Sequence, residues 1–364
     1  MKPLCLVVLA LLGTACARDA GGPVVPAGRQ PVAPLRYTEP VSNDADDPAI
    51  WIHQANPSRS LIVGTNKVAA PDGALVVFGL DGAIRQVIGG LDRPNNVDIE
   101  TGVVAGGERL DLAVVTERLR HRLRVFRILP DGSGLREIGA VPVLDGEQGE
   151  RAEPMGIGLY KRPGDGALFA VVAPKAGGAD RYLAQYRLMV SADGVTGTLA
   201  RRFGGFSQRG PQPGDPGEIE AIVVDDELGY VYYADERFGI HKWHADPDHA
   251  EAGRELAVFG LEGYARDREG LAIYPRGRGT GYLVSTDQIP GGSVFKLYRR
   301  EGESGAPHEH RVVAETRTTA DDTDGIEVSA AALPGLPRGI LVAMHSSAKT
   351  FAIFDWARLF PAVP

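Results

Sequence analysis

Cysteine is nearly absent from this chain, which has two among 364 residues, at Cys5 and Cys16. The remainder therefore has neither a disulfide nor a thiol nucleophile. It also lacks a Gly-x-Ser-x-Gly elbow, a Walker loop and a His-Glu-x-x-His motif, which excludes the enzyme classes that those motifs mark. Basic residues are in deficit, and the formal net charge of −8 argues against nucleic acid as a partner.

A single long apolar run occurs, over residues 4–12, and it is too short to span a bilayer. Together with Lys2 and the small residues before Cys16, it predicts an export signal over residues 1–15. Cys16 is the candidate lipid-modified residue of a periplasmic or outer-membrane lipoprotein; alternatively, ordinary cleavage releases a secreted protein. We expect a flexible linker over residues 16–40, rich in Gly, Pro and Ala, and one folded domain over residues 41–364.

A repeat organises the folded domain. Six times a polar or acidic residue opens a short apolar strand, at Asp47, Asn96, Glu153, Glu220, Glu269 and Asp324. Asp47 and Asp324 are 277 residues apart over five steps, so the period is about 55 residues, which suits a blade of four strands. We therefore predict an all-β fold, a six-bladed β-propeller with four-stranded antiparallel blades, and expect a monomer.

A second polar position follows the next strand of each unit. These residues are Lys67, Arg118, Lys175, Glu236, Gln288 and His345. Acidic strand starts are often simple turn residues, and a lysine at a strand end is often merely solvated. The regular spacing of both sets favours instead two rings of polar side chains at one mouth of the propeller.

Either some carboxylates of the acidic ring are protonated or a cation lies among them, because two carboxylates about 4 Å apart repel by roughly 4 kcal/mol at an effective dielectric of 20. Oxygen ligands without cysteine or paired histidine favour calcium over zinc. Calcium that only staples the blades together would not explain Lys67, Arg118 and Lys175. Cations and metal ions together suit an anion such as phosphate, and without a protein nucleophile a metal-activated water is the economical mechanism.

Six stretches carry a family resemblance. They are Asp44-Ala-Asp-Asp-Pro-Ala-Ile-Trp51, Gly64-Thr-Asn-Lys67, Asn95-Asn-Val-Asp98, residues 225–236, residues 267–274 and Asp322-Thr-Asp-Gly-Ile-Glu-Val328. Over about residues 41–356 the chain resembles the β-propeller phytases, calcium-dependent alkaline phosphatases of inositol hexakisphosphate. The resemblance implies several calcium ions in a shallow acidic funnel, a calcium-bridged water that attacks phosphorus directly, and a substrate bound as its calcium complex.

The same resemblance implies residue roles. The implied calcium ligands are Asp47, Glu220, Glu236, Asp267, Glu269, Gln288 and Asp324. The implied holders of the scissile phosphate are Lys67, Arg118 and Lys175, which with Glu220 form the implied catalytic set. Asn96 and Asp98 would lie near a second phosphate of the same substrate.

The chain departs from the family pattern at several positions. Met155 replaces a tyrosine, Glu117 an asparagine and Ala221 a glycine, and His345 lies in a stretch that is usually acidic or amide. Two other functions are compatible with a propeller of this kind. One is a calcium-dependent lactonase or esterase, and the other is a non-catalytic interaction platform of the cell envelope.

Overall fold

The computed structural model describes residues 30–191, 194–206 and 218–363. The predicted signal sequence and Cys16 lie outside these residues. After β1 (Arg36–Tyr37), the first three blades comprise β2 (Ala45–Trp51), β3 (Leu61–Asn66), β4 (Ala74–Gly79) and β5 (Ile84–Gly89); β6 (Pro94–Ala105), β7 (Glu108–Glu117), β8 (Arg122–Ile128) and β9 (Leu135–Pro142); and β10 (Pro154–Lys161), β11 (Leu168–Pro174), β12 (Leu183–Ser191) and β13 (Gly194–Phe203).

The last three blades follow in the same pattern. They comprise β14 (Ile222–Asp225), β15 (Tyr230–Asp235), β16 (Gly239–His244) and β17 (Ala257–Phe259); β18 (Leu271–Gly277), β19 (Thr280–Asp287), β20 (Val294–Arg299) and β21 (Val312–Arg317); and β22 (Ile326–Ser329), β23 (Ile340–His345) and β24 (Thr350–Asp355). Helical structure in the described residues is limited to 3-10 turns at Pro57–Arg59, Arg118–Arg120, Gly149–Ala152 and Ser346–Ala348, and to α1 (Trp356–Leu359).

The N-terminal strand closes the ring. Five blades are consecutive antiparallel meanders, whereas the sixth has the order β1-β24-β23-β22, so that β1 supplies its outermost strand. Arg36 pairs with Ile353 and Tyr37 with Ala352. Residues 30–40, which we expected to belong to a linker, therefore include part of the sixth blade. The predicted six-bladed propeller is confirmed.

The core is divided into six apolar clusters, one between each pair of neighbouring blades. The cluster between blades 6 and 1 contains Phe78, Ile62 and Phe351, and its presence shows that the ring is closed by packing as well as by β1. Each fully buried side chain of this size contributes about 1.5–3 kcal/mol by its removal from water. No described helix has the length and apolar character needed to cross a membrane.

The antiparallel meander determines where the polar rings lie. Each innermost strand starts, and each second strand ends, at the same end of the propeller, because consecutive strands run in opposite directions. Short turns make this possible. Between β4 and β5, for example, Gly82 adopts a φ of 87° and Asp81 Oδ1 accepts the Ala83 N–H, in a conformation that favours glycine.

Candidate active site

The residues after the second strands form one ring at the mouth. Lys67, Arg118, Lys175, Glu236 and Gln288 each follow the last residue of a second strand. Their backbone N–H groups donate to carbonyl oxygens of the loop that leads into the innermost strand, as Lys175 does to Glu153 over 2.8 Å and Gln288 to Asp267 over 3.0 Å. The backbone thus holds this ring beside the residues that open the innermost strands.

Bulges double the polar side chains available from the first two blades. The β2–β3 register shifts between Ala45 and Pro48, and the β6–β7 register shifts between Pro94 and Val97. A bulge breaks strict alternation, so that consecutive residues need not point to opposite faces. Asp46 as well as Asp47, and Asn95 as well as Asn96, are consequently buried at this end of the propeller.

Lys67 is surrounded by carboxylates. Its ammonium group forms an ion pair with the fully buried Asp46 and lies 3.8 Å from Asp324 Oδ2. Burial lowers the pKa of Lys67, but Asp46, Glu220 and Asp324 outweigh that effect and raise the pKa well above its usual 10.5. Asp324 also accepts a hydrogen bond from the Gln288 amide. Lys67 therefore adds a positive charge at the edge of the acidic ring.

Asn95 joins the two rings. Its amide nitrogen lies 3.1 Å from Asp46 Oδ2 and 2.6 Å from Glu220 Oε1, and its carbonyl oxygen accepts from Arg118 Nη1 over 3.2 Å. Arg118 also donates from Nη2 to Glu153 Oε2 over 2.7 Å. The fully buried Asn95 thereby fixes a carboxylate and a guanidinium group relative to each other.

Three glutamates converge at the centre. One carboxylate oxygen each of Glu220, Glu236 and Glu269 lies within 4.8 Å of the others. Burial, and then Glu220 and Asp267, raise the pKa of Glu236 to about 8, while burial and neighbouring carboxylates raise the pKa of Glu269 well above its usual value. Glu236 is only 4% exposed, and its Oε1 has no hydrogen-bond partner among the described residues.

The unpaired oxygen of Glu236 fits a site for a positively charged ligand. A buried carboxylate oxygen without a partner carries a large desolvation penalty. The neighbouring side chains that could ligate an ion offer carboxylate and amide oxygens. Asp324, with Gln288 bound to it, lies near Glu220, and Asp267 lies near Glu236. This donor set fits a hard divalent cation and does not fit a metal that prefers sulfur or imidazole.

The central channel contains further carboxylates. A cavity of about 30 Å³ along the channel is lined by Asp47, Asp98 and Glu327, together with Asn96 and Glu269. Asp47 Oδ2 accepts the Val97 N–H over 2.9 Å, and the Asp98 oxygens accept the N–H groups of Ile99 and Leu159, each over 2.7 Å. Burial raises the pKa of Asp98 to about 7 and that of Glu327 to about 8.

The structure thus brings most of the sequence-predicted residues into one region. Asp324 contacts both Lys67 and Gln288. The three glutamates cluster, and Lys175 forms an ion pair with Glu218. Asp98 lies deeper than the start of β6, because it pairs with Val114, three residues before the end of β7.

Sequence reasoning missed three residues of the site, namely Asp46, Asn95 and Glu218, as side chains with a role there, and it identified Glu153 only as a strand opening. The doubled Asp46-Asp47 and Asn95-Asn96 were the available signal.

The last residue of the second strand has a structural task that the sequence did not reveal. Asn66 Oδ1 accepts the Asp44 N–H over 2.9 Å, and Glu117 Oε1 accepts the Asp92 N–H over 2.8 Å. Likewise, Asp287 Oδ2 accepts the Ala265 N–H over 2.9 Å, and His345 Nδ1 accepts the Asp321 N–H over 3.1 Å. These acceptors hold the loop that precedes the innermost strand. The departures at Glu117 and His345 therefore preserve a hydrogen-bond acceptor.

Comparisons with known proteins agree with this geometry. A family model described as Phytase matches residues 7–350. A 3-phytase of Bacillus subtilis (strain 168) is 32% identical over 346 residues, covering 88% of this chain and 82% of the relative. A solved structure, the crystal structure of BBS1N in complex with ARL6DN, soaked with lead, gives a TM-score of 0.47 and 11% identity over 86% of this chain and 78% of that chain. At that TM-score the structural likeness carries no argument.

Proposed function

This chain belongs to the phytase family and hydrolyses phytate (myo-inositol hexakisphosphate) to release inorganic phosphate, and we propose that it does so with calcium ions bound by the carboxylates of the mouth. The observation that carries the proposal is the group of Glu220, Glu236 and Glu269, with ligand oxygens within 4.8 Å of one another and the Glu236 Oε1 atom unpaired within the described residues.

The ligand set is large enough for more than one ion. Calcium takes about six to eight oxygens, and the candidate ligands are Asp47, Glu220, Glu236, Asp267, Glu269, Gln288 and Asp324. Bound calcium supplies a Lewis acid and lowers the pKa of a coordinated water. The raised pKa values of Glu236 and Glu269 support this role, because burial and neighbouring carboxylates disfavour their charged forms, which a bound cation would stabilise.

Lys67, Arg118 and Lys175 hold the scissile phosphate in this proposal. Each is already paired with a carboxylate, Asp46, Glu153 and Glu218 respectively. The phosphate therefore shares cations that are oriented before it arrives, which reduces the conformational entropy lost on binding. The planar Arg118 group, fixed by Asn95 and Glu153, suits two parallel hydrogen bonds to phosphate oxygens.

A second phosphate of the same substrate is proposed to lie near Asn96 and Asp98. Asn96 is the better placed of the two, because its amide, with the nitrogen turned toward the mouth, lies 3.3 Å from Glu220 Oε1. The substrate enters as its calcium complex, since calcium screens the repulsion between phosphate groups and the acidic mouth. We also propose export of a monomer, with Cys16 as either a lipid attachment site or part of an ordinary cleavage site.

Phosphate release by the purified domain tests the proposal. With phytate as substrate, release should require added calcium, and Glu220→Gln should abolish it with little loss of thermal stability. Glu309→Gln is the matched control, because this glutamate is 64% exposed at the far end of blade 5. Full activity of Glu220→Gln, or full activity after chelation of calcium, would contradict the metal role.

The lactonase alternative makes a different prediction. A lactonase or esterase on this scaffold would not need Lys67 and Arg118, and it would remain largely active in Lys67→Ala and Arg118→Ala. A non-catalytic platform would release no phosphate even with calcium present. The family match favours neither alternative.

A further inference from the structure

We propose that a pocket on the mouth face, beside Lys175, is an additional anion subsite that binds a non-scissile phosphate of the substrate through Arg151, Arg181 and Arg202. This inference rests on the proposed function, because the substrate carries more phosphate groups than the three mouth cations can hold.

The pocket is a concave site built by three separate segments. Its volume is about 260 Å³, and its lining includes Arg151 of the 3-10 turn before β10, Arg181 just before β12 and Arg202 near the end of β13. That volume is many times the ~30 Å³ that one water molecule occupies in the liquid. All three segments lie at the same end of the propeller as the second-strand ends, so the pocket opens on the face where the substrate is bound.

Short contacts connect the pocket to the reaction centre. The Lys175 N–H donates to the Glu153 carbonyl over 2.8 Å, and the Ala176 N–H donates to the Glu150 carbonyl over 3.3 Å. Arg151 therefore lies on a segment that is tied to Lys175. Tyr182 lines the other side of the pocket, and burial followed by the nearby Glu236 carboxylate raises its pKa.

The charge of the pocket is positive. Arg202 pairs with Glu147 at 3.3 Å, and Asp180 supplies a second carboxylate to the lining. Arg151 and Arg181 form no ion pair with any residue in the described ranges. Three guanidinium groups against two carboxylates leave an excess positive charge in a chain whose net charge is −8. Exposed arginines are usually solvated, but these three line one pocket, and several guanidinium groups at one concave site suit the binding of a phosphate group.

Kinetics on two substrates test the subsite. In the double variant Arg151→Ala/Arg181→Ala, we expect KM for phytate to rise about tenfold or more, with kcat nearly unchanged. Hydrolysis of p-nitrophenyl phosphate should be unaffected, because this ester has no second phosphate. Glu147→Gln should act in the opposite direction and lower KM for phytate, since it removes the carboxylate that competes for Arg202.

Arg187→Ala is the matched control. Arg187 is exposed on β12 of the same blade, does not line the pocket, and should leave both substrates unaffected. Unchanged phytate kinetics in the double variant would overturn the proposal, and so would an equal loss on both substrates. Should the wild-type protein release no phosphate from phytate, the proposed function fails. Calorimetric titration with inositol hexakisphosphate then still tests the subsite by itself. Equal affinity of the wild type and the double variant for this ligand would overturn the subsite.

Discussion

Asn95 of blade 2 donates its side-chain amide to Glu220 Oε1 of blade 4 over 2.6 Å, across 125 residues of sequence. The same side chain accepts a hydrogen bond from Arg118. One fully buried amide therefore fixes a proposed metal ligand relative to a proposed phosphate ligand. In a site whose chemistry depends on the distance between metal and phosphate, such a link has direct kinetic consequences.

Asn95→Ala should impair turnover. The change leaves Arg118, Asp46 and Glu220 each short of a hydrogen-bond partner, which should lower the free energy of unfolding by about 1–3 kcal/mol. We expect kcat/KM for phytate to fall about 10- to 100-fold. Melting curves and phosphate release measure the two effects separately. Wild-type kcat/KM in a correctly folded variant would show that Asn95 does not position these groups.

The calcium-free protein should become less stable as the pH rises. Burial is the main cause that raises the pKa of Glu236 from 4.5 to about 8. Between these values the folded chain binds the proton and the unfolded chain has lost it. The free energy of unfolding should therefore fall as the pH increases from about 4.5 to about 8.

Calcium should reverse this trend, because it binds the ionised carboxylates of the folded state. Burial also raises the pKa of Asp324, to about 6, so part of the loss should already occur below neutral pH. Melting temperatures measured across this range in EDTA and in excess calcium provide the test. A melting temperature in EDTA that rises steadily with pH would contradict the raised pKa values of these carboxylates, and a melting temperature that calcium leaves unchanged would contradict their assignment to a metal site.

The fold could be predicted from the sequence because one pattern recurs in six units, so an irregular strand in one unit does not hide the repeat. Six openings at a period of about 55 residues located every innermost strand, and the residues that follow β3, β7, β11, β15 and β19 were identified from the polar ends of apolar runs. The strand that closes the ring was not predicted. Only two residues of β1 pair with β24, and their partners lie more than 300 residues away.

The bulged residues could not be predicted from alternation. A strict period of two places Asp46 and Asp47 on opposite faces, whereas the register shift in β2 lets both serve the mouth. Glu218 was missed for another reason. It precedes the opening at Glu220 by two residues, and no repeated pattern marks it. Its contact with Lys175 depends on how blades 3 and 4 pack.

Gly325→Ala should displace a proposed calcium ligand. A Cβ atom at this position would lie 2.1 Å from Asp47 Oδ1 and 2.6 Å from Asp47 Cα, so Asp47 would have to move. We expect a loss of about 1–3 kcal/mol in the free energy of unfolding, together with a higher calcium concentration for half-maximal activity. Gly253→Ala is the control, because a Cβ there meets no atom within 4 Å. Equal calcium activation in the two variants would exclude Asp47 from the metal site.

Buried charges at the far end of the propeller should behave differently from those at the mouth. Arg300, 3% exposed, binds both carboxylate oxygens of Asp225 across the interface of blades 4 and 5. Asp225→Ala leaves a buried guanidinium without its buried partner and should lower the free energy of unfolding by about 3–5 kcal/mol. Calcium activation and kcat of the folded fraction should stay at wild-type values, because neither residue lies near the mouth.

Glu227→Gln is the matched control for that prediction, since Glu227 contacts the same Arg300 over 2.9 Å but is 48% exposed. Removal of an exposed partner should cost at most about 1 kcal/mol. Urea unfolding with and without calcium compares the variants. A large loss in Glu227→Gln, or a calcium dependence in Asp225→Ala that differs from wild type, would show that the far end is coupled to the metal site. With neither result, the interface charges stabilise the ring, whereas the carboxylates of the mouth serve the reaction.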